Sequence, residues 1–157
     1  MSSIAPTVRV QAEDFDPGRE EALLTAGRRD VGAVVAFTGL CRDEDGALAA
    51  LELEHYPDMA EEEMVRVANE ALARWPLLGL TVIHRYGLIR PGERIVLVVA
   101  AARHRGEAFG AAEFLMDYLK TRAPFWKKEH RADGVDGGWV EAKDADDAAA
   151  ARWAAKS

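Results

Sequence analysis

The run Ile95-Val96-Leu97-Val98-Val99-Ala100-Ala101-Ala102 is apolar at every position and constrains the fold more than any other stretch. A β-rich run with no polar face fits the middle of a sheet that is covered on both sides. It is far too short to cross a bilayer, and the N-terminus lacks the basic start and apolar core of a signal peptide, so a cytoplasmic protein is expected. The 157 residues suit a single domain, residues 1–157, large enough to bury a real core. An apolar fraction of 49% and a charged fraction of 30% are those of a globular rather than a disordered chain. A single cysteine, Cys41, excludes an internal disulfide, and no Cys/His group has structural-zinc spacing. The net charge of −7 argues against a general nucleic-acid binder.

Around the central run the chain reads as alternating elements. Thr7 to Gln11 has strand alternation, and Asp16-Pro17 gives a cap and an N1 proline for a helix through Arg28. Val31 to Arg42 reads as a buried strand, Asp43 to Gly46 as a turn and Ala47 to Tyr56 as a second strand, which together predict an antiparallel hairpin. Within the second strand, alternation sets Leu51, Leu53 and His55 on one side and Glu52, Glu54 and Tyr56 on the other. Asp58 caps a helix to Trp75 with Met64, Val67, Ala68, Ala71 and Leu72 as its apolar stripe. Leu80 to Tyr86 and Arg94 to Ala102 are further strands, and Glu107 to about Arg122 is a helix that buries Ala108, Ala111, Ala112, Leu115 and Leu119. A short strand at 138–142 and a final alanine-rich helix carrying Trp153 close the chain. The fold class is α+β, with five or six mostly antiparallel strands and helices packed on the sheet.

Charge is unevenly spread. From Arg103 to Arg131 there are seven Lys/Arg against four Asp/Glu, a local +3 that leaves the remainder at −10. Such an island in an acidic chain points to an anion pocket. At its heart Pro124 ends a helix, so Lys120 lies in a last turn and Lys127 beyond the break. Phe125 and Trp126 are too apolar to lie together in a free loop. If both turn inward, the neighbouring lysines meet a low-dielectric wall, where an ammonium loses its proton more readily. The plainer reading, a solvated Lys120 paired with Asp117, competes with this. Arg103-His104-Arg105 opens the preceding helix, whose free N–H groups would suit a phosphate, and a solvated basic turn explains it equally well.

The run Met-Asp-Tyr-Leu-Lys-Thr-Arg-Ala-Pro-Phe-Trp-Lys-Lys-Glu, Met116 to Glu129, resembles the signature of the MoaE family, the large, catalytic subunit of molybdopterin synthase. The passage Leu51 to Ala60 and the segments His84 to Gly87 and Gly87 to Glu93 are similar to the same family, and the likeness extends from near Phe37 to Trp153. The resemblance implies an α/β-hammerhead-like fold and an enzyme that adds two sulfurs to cyclic pyranopterin monophosphate, forming the dithiolene of molybdopterin. It implies a ubiquitin-like sulfur carrier of the MoaD family, whose C-terminal Gly-Gly thiocarboxylate enters the pocket, and a heterotetramer with the large subunits paired at its centre. It implies no cofactor and no metal. By matched position, Lys120 and Lys127 are the catalytic lysines, while Leu40, Cys41, Arg42, His104, Arg105, Lys128 and Glu129 bind substrate, with Lys128 lining the pocket.

Two departures stand out: a short turn after Arg42, and Cys41 where a plain apolar residue is expected. A cysteine at a strand end is most often a packing residue. Two rival functions share the basic pocket. A Schiff-base enzyme acting on a phosphorylated carbonyl compound would need Lys120 but no carrier; a non-catalytic module gripping a ubiquitin-like tail would need Phe125 and Trp126 but no lysine amine.

Overall fold

The computed structural model describes residues 4–43, 46–56, 58–122, 125–134, 136–140 and Trp153. In chain order they form β1 (Thr7–Gln11), α1 (Pro17–Thr25), β2 (Ala33–Leu40), β3 (Leu48–His55), α2 (Met59–Arg74), β4 (Gly79–Arg85), β5 (Gly87–Ile89), β6 (Arg94–Ala102), α3 (Arg105–Arg122), β7 (Phe125–Arg131) and β8 (Asp136–Val140). Two four-stranded sheets result, ordered β1-β4-β6-β2 and β5-β3-β7-β8. All pairings are antiparallel except β1 with β4. The architecture is α+β, as the sequence pattern requires, with eight strands among the described residues where five or six were expected, and none of the described helices is long and apolar enough to cross a membrane.

The apolar run is an interior strand, with β6 between β4 and β2. Alternation sorts its side chains into two layers. Val96, Val98, Ala100 and Ala102 join α2 and α3 in the main core, through Met64, Val67, Ala68, Ala71, Ala111, Phe114 and Leu115. Leu97 and Val99 face the other way, against Phe15, Ile83 and Leu24 under α1. A third cluster, Cys41, Leu51, Leu53 and Ile89, supports the second sheet.

The helix signals act as expected at one end and differently at another. Asp16 accepts from the Gly18 and Arg19 amides and Pro17 occupies the first turn, but α1 ends at Thr25, short of Arg28. Asp58 stands at the start of α2 in a left-handed conformation, φ 70°, and makes no side-chain cap; its carbonyl accepts from the Glu62 amide at 2.8 Å.

Three expectations are corrected. β2 and β3 do not form a hairpin: β2 pairs with β6, whereas β3 pairs with β5 and β7, so the turn between them carries the chain from one sheet to the other. Nor is β2 a buried strand; it is an edge, with Phe37 41% and Leu40 54% exposed. Finally, the residues after Pro124 form a strand, and alternation along β7 turns Phe125 inward and Trp126 outward. Phe125 joins the main core, while Trp126 meets Tyr56 edge-on at 4.6 Å on the exposed side. Of the final helix, only Trp153 lies within the described residues.

Candidate functional site

A cleft of about 670 Å³ opens where β2, β4, β6, α3 and β7 meet. That volume suits a small-molecule site. Its walls are Phe37, Ile95, Val96, Met116, Leu119 and Phe125, and three cations reach it: Arg42 just past β2, Lys120 in the last turn of α3, and Lys127 on β7. None of the described lining residues is acidic. Arg42 and two lysines only seven positions apart, on three different elements, produce an apolar slot with a positive rim.

Local chemistry fixes the Arg42 corner. The register slips between Gly39 and Leu40, which bends the strand end out of the ladder. A Cβ on Gly39 would stand 2.6 Å from Val96 Cγ1, so only glycine lets the two strands approach this closely. The turn before β6 then latches the chain. The Cys41 amide donates to the Glu93 carbonyl at 2.8 Å, and the Gly92 amide donates to the Cys41 carbonyl at 2.7 Å. Gly92, at φ 91°, adopts the left-handed conformation that this turn demands.

Cys41 itself is buried, and its thiol lies 3.8 Å from the Ile89 carbonyl. Burial, helped by Glu93 and Asp43, raises its pKa, which keeps sulfur in the thiol form. It is a packing residue that touches the cleft.

The two lysines are exposed at the rim rather than set against a low-dielectric wall. Lys127 follows from β7: it shares Phe125's side of the strand, and Phe125 stacks on the His84 ring with centroids 3.8 Å apart and planes 14° from parallel. Asp117, one turn before Lys120, accepts a hydrogen bond from the Trp153 indole. That contact ties α3 to Trp153.

Other residues expected at the site lie elsewhere. His104 and Arg105 are exposed at the start of α3, and fifteen residues of helix separate Arg105 from Lys120, about 22 Å at 1.5 Å per residue. One small molecule cannot touch both within one chain. Lys128 is half-buried on the opposite side of β7 from Lys127, in register with Glu52, and does not line the cleft. Glu129 shares the Lys127 side but sits further along, opposite Leu51. Leu40, Cys41 and Arg42 line the cleft together.

Sequence reasoning passed over His84, which lines the cleft and is only 7% exposed. Its Nδ1 lies 2.8 Å from the Arg85 carbonyl. Burial, together with the nearby charges of Lys127 and His55, lowers its pKa to about 4 even though that carbonyl pulls the other way. An imidazole at the end of the β-rich stretch Leu80-Thr81-Val82-Ile83 was the available signal.

Comparison with known proteins agrees with this architecture. Residues 10–122 match the family model described as MoaE protein. A molybdopterin synthase catalytic subunit of Mesorhizobium japonicum is 71% identical over 100% of this chain and 99% of its own length. Its counterpart in Brucella melitensis is 64% identical over 94% and 90%. Among solved structures, a molybdopterin biosynthesis MoaE protein from Burkholderia ambifaria superposes with a TM-score of 0.81 at 48% identity, covering 95% of this chain and 98% of that one. Molybdopterin synthase from Staphylococcus aureus gives 0.75 at 28% identity, covering 84% and 95%. With its family model matched across β2 to α3 and its fold shared with solved members, the chain belongs to the MoaE protein family.

Proposed function

We propose that this chain is the catalytic subunit of a molybdopterin synthase, a cytoplasmic sulfurtransferase that moves sulfur from the C-terminal thiocarboxylate of a small ubiquitin-like carrier to cyclic pyranopterin monophosphate. The observation that carries the reading is the meeting of Arg42, Lys120 and Lys127 on one apolar cleft. The thiocarboxylate sulfur attacks an electrophilic, oxygen-bearing carbon of the substrate and displaces that oxygen, which takes up a proton as it leaves. A C–S bond thus replaces a C–O bond, and an acyl thioester joins carrier and substrate with no change in oxidation state. Water then cleaves that thioester, which leaves sulfur on the substrate and returns the carrier as a carboxylate. A second carrier repeats the step to complete the dithiolene.

The thiocarboxylate carries part of its negative charge on the carrier's terminal oxygen before attack, and hydrolysis of the thioester places negative charge on that oxygen again in the tetrahedral intermediate. Lys120, at the rim where a threaded tail would end, suits that oxyanion as an ammonium donor; as a free amine it would instead attack the carbonyl. Lys127 serves as proton donor or substrate contact. The Arg42 guanidinium offers the phosphate a two-pronged donor.

His104 and Arg105 join this scheme only through a second copy. Lying about 22 Å from Lys120 on the same helix, they reach a shared substrate if the α3 start of one subunit sits over the cleft of another. Lys128 and Glu129 neighbour Lys127 on β7 and are not among the residues described as lining the cleft. A Lys120→Ala variant is expected to lose turnover by roughly a hundredfold or more, as for loss of an oxyanion donor. Its carrier affinity should stay within about tenfold, or about 1.4 kcal/mol. Single-turnover assays and calorimetry read the two quantities separately, and unchanged turnover would remove Lys120 from the chemistry.

A further inference from the structure

The cleft lining offers mostly donors. Arg42, Lys120 and Lys127 only donate in their charged forms, and Thr38 and Cys41 carry a hydroxyl and a thiol that can do so. His84 differs, because its chemistry is settled by the main chain. A carbonyl oxygen only accepts, so the 2.8 Å contact from Nδ1 to the Arg85 carbonyl places the ring proton on Nδ1. The neutral ring then holds its lone pair on Nε2. Among the described residues, this Nδ1 contact is the one hydrogen bond of the imidazole. Lys127 and His55 both oppose a second proton, which keeps Nε2 an acceptor. The ring is also fixed in direction: it cannot swing without unstacking Phe125, 3.8 Å away.

We propose that His84 is a substrate-recognising residue, whose Nε2 accepts a hydrogen bond from a ring N–H of the heterocycle while the cationic side chains hold its phosphate. The inference deepens the synthase reading and rests on it. It divides recognition into two parts: the cations read charge, and His84 reads the nitrogen heterocycle. A phosphate without the heterocycle would be bound by the first part alone.

The test is equilibrium binding to the chain assembled with a carrier ending in a plain carboxylate, so that no turnover occurs. Two probes are used, cyclic pyranopterin monophosphate and inorganic phosphate. His84→Phe keeps an aromatic ring against Phe125 but removes the acceptor. It is expected to weaken binding of the pterin phosphate roughly tenfold or more, as for loss of one hydrogen-bond partner to a buried site, while phosphate affinity stays within about twofold. His84→Gln, which restores an acceptor oxygen, should recover pterin affinity to within about threefold of the native chain. Equal losses for both probes would show that His84 merely supports the cleft and would overturn the inference. So would native pterin affinity in His84→Phe. Where His84→Phe does not fold, His84→Gln against His84→Leu makes the same comparison. Failure of the native assembly to bind the pterin phosphate would count against the synthase reading itself, and thus also against this inference.

Discussion

His84 carries a thermodynamic cost as well as a contact. In the unfolded chain its imidazole titrates near 6.5, whereas in the folded chain the value is about 4, chiefly through burial. Between those values the unfolded state holds a proton that the native state refuses, so stability rises with pH across this window, by about 1.4 kcal/mol per unit. The contribution is whole above pH 6.5 and lost as pH falls towards 4, a total of about 3 kcal/mol. Urea unfolding at pH 7 and pH 4.5 should therefore show a stability loss about 2–3 kcal/mol larger in the native chain than in His84→Phe. An identical loss in both would mean that the folded imidazole takes up its proton as readily as the unfolded one. Single residues were unequally legible in sequence. Arg42 and the lysines announced themselves by charge, but His84 did not, because its role depends on Phe125, forty-one positions away, and on a carbonyl that no composition reveals. Gly39 was equally silent, since the need for glycine comes from Val96 across the ladder.

Among the elements, α3 joins the core to the site. Its 3.6-residue pattern identified the buried face, and Ala108, Ala111, Ala112, Leu115 and Leu119 are all buried. Trp153 completes that face: its ring meets Trp75 at 5.8 Å and Phe114 at 5.7 Å, and its indole donates to Asp117. Trp153→Ala should destabilise the fold by about 3–5 kcal/mol, the range for large aromatic truncation in a core, and thermal melting would read it. A change under about 1 kcal/mol would show that the Trp153 side chain adds little to the core. Strand pairing was harder to read than helix faces. The hairpin expected of β2 and β3 followed from their closeness in sequence, but the slip at Gly39/Leu40 and the latch from Cys41 to Glu93 divert the chain between sheets. β7 was missed as a strand because a proline and four charged residues mask its alternation. Its partner β3 supplies the missing half of the pattern, with Leu53 opposite Lys127 and His55 opposite Phe125.

For the whole molecule, the central issue is which surfaces complete the cleft. The α+β class and the interior place of β6 follow from the apolar run, and the cation-rich site follows from the charge island between Arg103 and Arg131. Sequence order could not show that this island has two ends, about 22 Å apart along α3. A site shared between two copies makes a sharp prediction for mixed dimers. Lys120→Ala and Arg105→Ala chains should each be nearly inactive alone, yet a hybrid of the two would contain one site with both defects and one with neither. Co-expression with two tags isolates that hybrid, and about half of native turnover is expected from its one intact site. A hybrid as inactive as its parents would place both residues in the same site of one chain, or neither in a shared one.

The central claim, that this cleft transfers sulfur from a carrier protein to a phosphorylated pterin, is most directly tested by single-turnover conversion of cyclic pyranopterin monophosphate. The chain is mixed with a carrier ending in a thiocarboxylate or in a plain carboxylate, and the dithiolene product is followed by the fluorescence of its oxidised form. The account predicts product with the thiocarboxylate and none with the carboxylate. A carrier that binds without yielding product would contradict it, and would leave a module that grips the tail without catalysing transfer.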